Sequence, residues 1–338
     1  MRQFVLSLCL ICWGSLTTAF EIEDQARFGP AEAATTLNIL STTDTAIFAP
    51  MIESYLAITP DTAIAYTVAS STDVAGAVID GDERFDLVIS SAMDLQIKLA
   101  NDGYARPHIS AVTRALPEWA RWNDMVFAFT QEPAAIVLSD TAFAGLTMPR
   151  SREELISLLR RHPDRFAGKV GTYDLRISGL GYLFATQESR VSETYWRLTQ
   201  VMGGLNARLY CCSSQMIDDV ASGDLAVAYN VLGSYALQRE GEENVHILFP
   251  SDFTALMLRT VLIPQTATAP DAAGAFLDHM VGQAHSGGNG PFGIDRWLGQ
   301  SDAAALRRID LGPGLLVYLD RLKRAAFETE WTNAILQQ

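Results

Sequence analysis

Short apolar runs and amphipathic segments alternate along most of the chain. The first three apolar runs, residues 37–40, 63–68 and 85–89, have the length of strands. Each is followed by a segment whose apolar residues recur at helical spacing, as Phe48 and Met51 do. Strands that alternate with helices predict a parallel sheet with helices on both faces.

The same alternation recurs in the second half of the chain. The predicted strands there are residues 169–173, 207–210 and 225–229, each again followed by a predicted helix. Two further apolar strands, 125–130 and 257–263, are predicted to cross between the halves. The sequence therefore predicts an α/β fold with the two-lobed clamshell arrangement, in which each lobe is a mostly parallel sheet flanked by helices.

The predicted boundaries follow from these crossings. They are residues 1–19 for a signal peptide, 37–124 plus 256–338 for lobe 1, and 125–255 for lobe 2. Residues 20–36 are polar and rich in alanine, which predicts a loose leader. Residues 131–133 are expected to end the first crossing strand, Ser151 to Arg161 is predicted to be a surface helix, and residues 286–290 are predicted to form a flexible turn.

Polar residues follow the predicted strands at matching positions, which makes them candidate ligand-binding residues, because ligands bind beyond the carboxyl ends of strands in such sheets. In lobe 1 these residues are Ser41, Thr42, Thr43, Ser70, Ser71, Ser90 and Ser91. In lobe 2 and at the first crossing they are Arg176, Ser178, Gly179, Gly181, Ser213, Ser214, Tyr229, Asn230, Tyr235 and Arg121. The alternative for each hydroxyl pair is a plain helix N-cap.

The stretch 168–187 contains the most suggestive of these junctions. Ser178 caps a predicted helix, and a helix start presents unpaired N–H groups and a positive dipole end that can seat an anion. The motif is neither a Walker loop nor a GxGxxG dinucleotide loop. Arg176 adds a guanidinium suited to phosphate or carboxylate. We therefore expect a small anionic organic solute, phosphorylated or carboxylated, and no cofactor.

Composition adds the compartment and excludes one class of partner. The chain has 338 residues, 49% hydrophobic, with a net charge of −14. No Lys/Arg-rich run is present, which argues against nucleic-acid binding. Residues 1–19 combine Arg2, an apolar core and small residues before Phe20, as a signal peptide does. We therefore expect an exported, periplasmic protein.

Cysteine and histidine offer little further chemistry. Of four cysteines, two lie in the predicted signal peptide, which leaves the neighbours Cys211 and Cys212. Two free thiols and a vicinal disulfide are both open. The five histidines are scattered without metal-ligand spacing, so no metal site is predicted.

The chain resembles the periplasmic solute-binding proteins of ABC transporters, in the cluster of iron(III)-, phosphonate- and phosphoglycerate-related binding proteins. The resemblance covers roughly residues 37–338. Its motifs are Phe85 to Ser91, Asn101-Asp102-Gly103, Ser178 to Tyr182, Ala228 to Tyr235 and Gly312 to Asp320. The branch it is most similar to includes the phosphoglycerate transport regulatory binding protein. This resemblance implies a type 2 periplasmic binding fold that loads a ligand, as a monomer, for an ABC permease or a membrane sensor kinase.

Two other functions compete with this interpretation. The family's iron binders hold the metal with adjacent tyrosines, whereas here Tyr229 is followed by Asn230, which departs from the iron-binding pattern. An exported enzyme would need a nucleophile with a base and an orienting acid. No GxSxG elbow is present, and the histidines lie away from the predicted strand ends. The sequence therefore predicts a binding protein, not an enzyme.

Overall fold

The computed structural model of the protein describes residues 20–81, 84–286 and 304–337. The strands are β1 (Ile22–Phe28), β2 (Thr35–Ser41), β3 (Thr62–Ala69), β4 (Leu87–Ser90), β5 (Ala105–Arg106), β6 (Arg121–Trp122), β7 (Val126–Leu138), β8 (Val170–Tyr173), β9 (Arg208–Tyr210), β10 (Val227–Leu232), β11 (His246–Leu248), β12 (Thr254–Pro264) and β13 (Leu306–Arg308). The signal-peptide prediction for residues 1–19 and most of the predicted 286–290 turn lie outside the described residues.

The helices alternate with these strands as the sequence pattern predicts. They are α1 (Thr45–Leu56), α2 (Ser71–Asp80), α3 (Met93–Asn101), α4 (Ala111–Ala115), α5 (Arg152–Arg161), α6 (Pro163–Phe166), α7 (Gly179–Val191), α8 (Thr194–Gly204), α9 (Ser213–Ser222), α10 (Gly233–Gln238), α11 (Pro270–His285) and α12 (Arg321–Ile335). Short 3₁₀ segments occupy Glu118–Ala120 and Pro313–Leu319. No helix in the described ranges is long and apolar enough to cross a membrane.

The strands form two groups joined by a pair of long central strands. The order along the sheet is β1-β3-β2-β4-β12-β7-β10-β8-β9. In lobe 1, β2 pairs in parallel with β3 and β4, and in lobe 2, β8 pairs in parallel with β9 and β10. The central strands β7 and β12 are antiparallel and buried along their whole length. The predicted α/β fold is therefore confirmed.

The first crossing strand is longer than the sequence predicts. We expected residues 131–133 to end it, because proline is rare inside a sheet. Instead β7 continues to Leu138, and Pro133 pairs with Leu256 of β12. The strand can continue because the side chain of Glu132 is paired inside the sheet and because residues 134–138 are apolar and buried.

The predicted loose leader is also wrong for part of its length. Residues Ile22–Phe28 form β1, which pairs antiparallel with β3 and covers what would otherwise be an edge strand. Most of its residues are exposed. Since β1 therefore lacks the apolar alternation of a half-buried strand, the hydrophobic pattern gave no sign of it.

The carboxyl-terminal helix lies against the second lobe. Phe327 of α12 contacts Tyr195 and Trp196 of α8, and the carbonyl of Ala334 lies where a side chain at Gly203 would stand. The tail thus packs on both lobes, because the 3₁₀ segment before it contacts α3 of lobe 1. The lobe limits given above remain a prediction.

Candidate ligand-binding site

A cavity of about 90 Å³ lies between the lobes, at the carboxyl ends of the parallel strands. Its wall combines hydroxyl groups, two carboxylates, a disulfide and a few apolar side chains. The lining residues are Glu23, Thr42, Asp44, Ala69, Ser70, Ser71, Ser91, Tyr173, Ser178, Leu180, Cys211, Cys212, Ser213, Ser214, Leu232 and Tyr235. This volume is well below the roughly 300–1,000 Å³ of pockets for drug-sized ligands, so it suits a small solute.

Helix starts converge on this cavity from both lobes. Four lining residues are N-cap residues, Asp44 of α1, Ser70 of α2, Ser178 of α7 and Cys212 of α9. The hydroxyl of Ser70 accepts from the N–H of Asp73, and that of Ser178 from the N–H of Gly181. The convergence places the positive ends of several helix dipoles around one small volume.

The two lobes contact each other around the cavity. The N–H of Leu180 in lobe 2 donates to Ser71 Oγ in lobe 1 at 3.2 Å. Thr72 Oγ1 donates to the carbonyl of Ile177 at 3.0 Å. The two lobes are therefore in direct contact beside the site.

The structure brings eight of the predicted site residues together at the cavity: Thr42, Ser70, Ser71, Ser91, Ser178, Ser213, Ser214 and Tyr235. Ser41, Thr43 and Ser90 are buried behind it and hold the loops instead. Ser41 accepts from the N–H of Thr43, and Ser90 from the N–H of Ala92. These two hydroxyls match the alternative of structural turn and cap residues.

Neither predicted arginine is among the residues that line the cavity. The guanidinium of Arg176 is half exposed and binds the carboxylate of Asp174 through Nε and Nη2, at 2.8 and 2.6 Å. Arg121 lies in β6 and pairs with Asp124 at 3.3 Å. Each of these two arginines is thus paired with a carboxylate of the protein itself, and neither lies among the hydroxyl groups of the cavity.

The predicted glycines flank the lining residue Leu180, whereas Tyr229 and Asn230 are buried and are not among the lining residues. A Cβ on Gly179 would stand 2.8 Å from Ser71 Oγ, and one on Gly181 would stand 2.3 Å from Tyr173 Cβ. These glycines therefore permit close packing of the α7 turn. Asn230 is buried with a φ of 62°, and its Oδ1 has no hydrogen-bond partner among the described residues.

Tyr229 belongs to a buried ion-pair network inside lobe 2. Its hydroxyl accepts from Arg152 Nε at 2.8 Å and donates to Glu188 at 2.7 Å. Arg152 is fully buried. The α5 helix was predicted to be a surface helix, but this guanidinium lies in the core of lobe 2. Burial raises the pKa of Tyr229 well above 10, and Glu188 adds to the rise, whereas Arg152 opposes it.

Sequence reasoning missed the two carboxylates at the cavity. Glu23 lies on β1, a segment that was predicted to be a loose leader. Asp44 follows the hydroxyl residues at the end of β2, and only those hydroxyl residues were predicted to bind the ligand. Glu23 is exposed to solvent on one side, and its partial burial, followed by the negative charge of Asp44, raises its pKa. Burial likewise raises the pKa of Asp44, while Tyr235 and Arg259 oppose the rise. The sequence does contain one sign of this carboxylate, because Asp44 directly follows the predicted site residue Thr43.

A second buried ion pair lies on the crossing strands behind the cavity. Arg259 of β12 binds Glu132 of β7 at 2.8 Å, and both side chains are about 2% exposed. Arg259 also donates to Thr43 of lobe 1 at 2.6 Å, and Ser234 of lobe 2 donates to Glu132. The pair therefore links the two lobes at the crossing. Its charges are satisfied inside the protein.

Cys211 and Cys212 form a disulfide in the structure, and both line the cavity directly before α9. Among the described residues no group of three or more His, Cys, Asp and Glu side chains is placed to hold a metal ion. The cavity therefore presents hydroxyl groups, N–H groups and two carboxylates, which is the chemistry of a polar organic solute.

The arrangement defines a class: a two-lobed binding protein with its site in the cleft. The fold is similar to the substrate-binding protein of the ABC transporter from Agrobacterium tumefaciens, with 30% identity, 92% of this chain and 98% of that chain covered, and a TM-score of 0.86. The chain thus belongs to the family of substrate-binding proteins of ABC transporters.

Two more distant structures share the fold. The periplasmic binding protein AfuA from Actinobacillus pleuropneumoniae, solved with fructose-6-phosphate, is 13% identical over 90% of this chain and 99% of that chain, with a TM-score of 0.70. Iron-bound HitA from Pseudomonas aeruginosa is 14% identical over 89% and 99%, with a TM-score of 0.65. No family model matches the sequence. A search of curated proteins also found no match.

Proposed function

We propose that this protein captures a small anionic organic solute, phosphorylated or carboxylated, between its two lobes in the periplasm. It then delivers the loaded form, as a monomer, to the permease of an ABC importer or to the periplasmic domain of a membrane sensor kinase. Export would depend on residues 1–19 as a cleaved signal peptide. The resemblance to a phosphoglycerate regulatory protein favours a phosphorylated carboxylic acid within this class.

One observation carries the anionic part of the proposal. The N-terminal ends of helices from both lobes meet at a cavity lined by hydroxyl groups, among them Ser70 and Ser178. Helix starts favour negative charge through their dipoles and unpaired N–H groups. That AfuA was solved with fructose-6-phosphate agrees with a phosphorylated ligand for this fold.

The iron-binding alternative is less well supported by the residues present. Tyr229, the tyrosine at the position expected from the iron binders, is held by Arg152 and Glu188 inside lobe 2. Its raised pKa opposes the tyrosinate form that iron(III) prefers. We therefore expect no charge-transfer band in the visible spectrum on addition of ferric citrate.

The test is a ligand screen on the exported protein, purified from the periplasm and then unfolded and refolded to remove any bound solute. Thermal unfolding is followed with 3-phosphoglycerate, fructose 6-phosphate, citrate, inorganic phosphate, glucose and ferric citrate. An organic anion should raise the melting temperature, since a ligand at 100 times its Kd stabilises by about 2.7 kcal/mol. Stabilisation by glucose or ferric citrate alone would overturn the proposal.

A further inference from the structure

The helix starts of the two lobes differ in their charge. In lobe 1, α1 has Asp44 as its N-cap residue, and α2 and α3 have Asp73 and Asp94 in their first turns. A carboxylate at a helix start offsets the positive end of the dipole. The lobe 1 helices that begin at the cleft therefore already have a carboxyl group of their own.

The helix starts of lobe 2 lack such carboxylates. The first turns of α7 and α9, which begin Gly179-Leu180-Gly181 and Ser213-Ser214-Gln215, contain no acidic residue. In addition, the N-cap residue of α9 is Cys212, whose side chain makes no capping hydrogen bond. The first N–H groups of α9 are thus left for another acceptor. An anionic group of the ligand can therefore accept from the N–H groups at the α9 start. At the α7 start the N–H groups of Leu180 and Gly181 already donate to Ser71 and Ser178, so the attraction there comes from a helix dipole that no carboxylate offsets.

The charged side chains of the cavity show the same asymmetry. Its two carboxylates, Glu23 and Asp44, both belong to the lobe 1 wall. The lobe 2 residues that line it are uncharged apart from their helix ends, as far as the described residues go. Glu23 makes no hydrogen bond or ion pair with the described residues, and it lies near enough to Asp44 for the two negative charges to repel each other. Carboxylates in this position accept hydrogen bonds from hydroxyl or ammonium groups.

We infer that the ligand binds in one orientation, with its anionic group on the α7 and α9 starts of lobe 2 and with hydroxyl or ammonium groups donating to Glu23 and Asp44 of lobe 1. This inference rests on the proposed function and narrows its ligand class. The solute is an organic phosphate or carboxylate that carries hydrogen-bond donors at its other end. Inorganic phosphate has no second end that could carry such donors, and simple alkyl acids have an apolar one, so both bind more weakly.

The donor end is tested with matched probes by isothermal titration calorimetry. Glycerol 3-phosphate and phosphoethanolamine carry donors beyond the phosphate, whereas propyl phosphate carries none; glycerate and propionate form the carboxylate pair. In the wild-type protein the better donor-bearing probe should bind at least about tenfold more tightly than its alkyl counterpart, as one charge-assisted hydrogen bond provides. The comparison of glycerol 3-phosphate with phosphoethanolamine distinguishes hydroxyl from ammonium.

Variants then assign that preference to the two carboxylates. Glu23→Ala and Asp44→Ala should each reduce the ratio of the two affinities, and together they should bring it close to one. The side chain of Asp44 makes no capping hydrogen bond, so Asp44→Ala removes no cap from α1. The matched control is Glu21→Ala, an exposed acid just before β1 that does not line the cavity. Circular dichroism confirms that each variant is folded.

The anion end is tested by giving α9 the acid that it lacks. Ser214 lines the cavity, and its side chain makes no hydrogen bond with the described residues. Ser214→Asp should weaken binding of glycerol 3-phosphate at least a hundredfold, while the uncharged Ser214→Asn should change it much less. Equal effects of the two substitutions would place the anion elsewhere.

The outcomes separate the two proposals. If no organic phosphate or carboxylate binds the wild-type protein at millimolar concentration, the proposed function falls and this inference falls with it. If anions bind but propyl phosphate binds as well as glycerol 3-phosphate, only the inference is overturned. The same holds if the donor preference survives the loss of both Glu23 and Asp44.

Discussion

At the scale of single residues, the hydroxyl groups after each strand divide between two roles. Thr42 and Ser91 face the cavity, whereas Ser41 and Ser90 are buried and accept backbone N–H groups behind it. The sequence predicts that these hydroxyl residues lie close together, because the carboxyl ends of parallel strands meet at one edge of the sheet. It does not determine which member of a pair faces the ligand, because that depends on the loop conformation after the strand.

Glu23 shows the limit of residue-level prediction more sharply. It reaches the cavity only because β1 adds to β3, and the exposed residues of β1 give no hydrophobic pattern. The partner of Arg176, Asp174, is close in sequence, but a guanidinium suits a ligand carboxylate and a protein carboxylate alike, so the sequence does not decide between them. Only the distances between side chains, and not the residue types, distinguish a ligand-binding side chain from one that is paired within the protein.

Arg176→Ala is therefore expected to leave ligand affinity nearly unchanged, within about threefold. The side chain is half exposed, binds Asp174 and does not line the cavity. A direct charge-assisted bond to the ligand would instead be worth about 1.5–3 kcal/mol. Calorimetry on the best anion from the screen measures the difference, with Ser178→Ala as the comparison at the cavity wall. A loss of tenfold or more in Arg176→Ala would bring this arginine back to the site.

At the scale of elements, the apolar runs located most strands and helices. The missed strand β1 is mostly exposed, and the other errors lie where polar residues are buried. Glu132 and Pro133 suggested the end of a strand, yet β7 continues because Arg259 pairs with Glu132 inside the sheet. Arg152 of α5 is a second case, buried with Glu188. A buried ion pair cannot be recognised from one strand alone, since its partner lies far away in sequence.

The Glu132–Arg259 pair should make the crossing strands sensitive to acid. Burial alone would raise the pKa of Glu132, but attraction to Arg259 and hydrogen bonds from Arg259, Ser234 and Thr130 lower it below 4.5. A carboxyl whose folded-state pKa is lowered stabilises the protein above its unfolded-state pKa. That contribution is therefore present above about pH 4.5 and is lost as the pH falls through the lower value. Urea unfolding between pH 3 and pH 8 measures it.

Single and double variants separate the pair from its surroundings. Arg259→Met leaves the buried carboxylate unpaired and should cost about 3–5 kcal/mol at pH 7. The double variant Glu132→Gln with Arg259→Met removes that charge, so it should be more stable than Arg259→Met alone and should lose the acid dependence of this group. A double variant as unstable as the sum of both single variants would mean that the two charges do not stabilise each other.

At the scale of the whole molecule, the alternation of strands and helices was sufficient to predict the α/β lobes and the cleft between them. The two crossings followed from long apolar strands that fit neither lobe's repeat. What the pattern does not contain is how closely the lobes approach each other. That distance depends on single contacts across the cleft, such as Ser71 with the backbone of α7.

Closure of the two lobes can be tested at Gly179, which lies against Ser71 of the opposite lobe. A Cβ there would stand 2.8 Å from Ser71 Oγ of the opposite lobe, so Gly179→Val should hold the cleft open and weaken ligand binding at least tenfold. Small-angle scattering should show the wild-type protein becoming more compact with ligand, as hinge closure requires, and Gly179→Val keeping its larger radius. The matched control is Gly76→Val in α2, where no atom outside the adjacent helix backbone lies within 4 Å of the added Cβ. If Gly179→Val still compacts and binds at full affinity, the close contact between Gly179 and Ser71 is not part of the ligand-bound form.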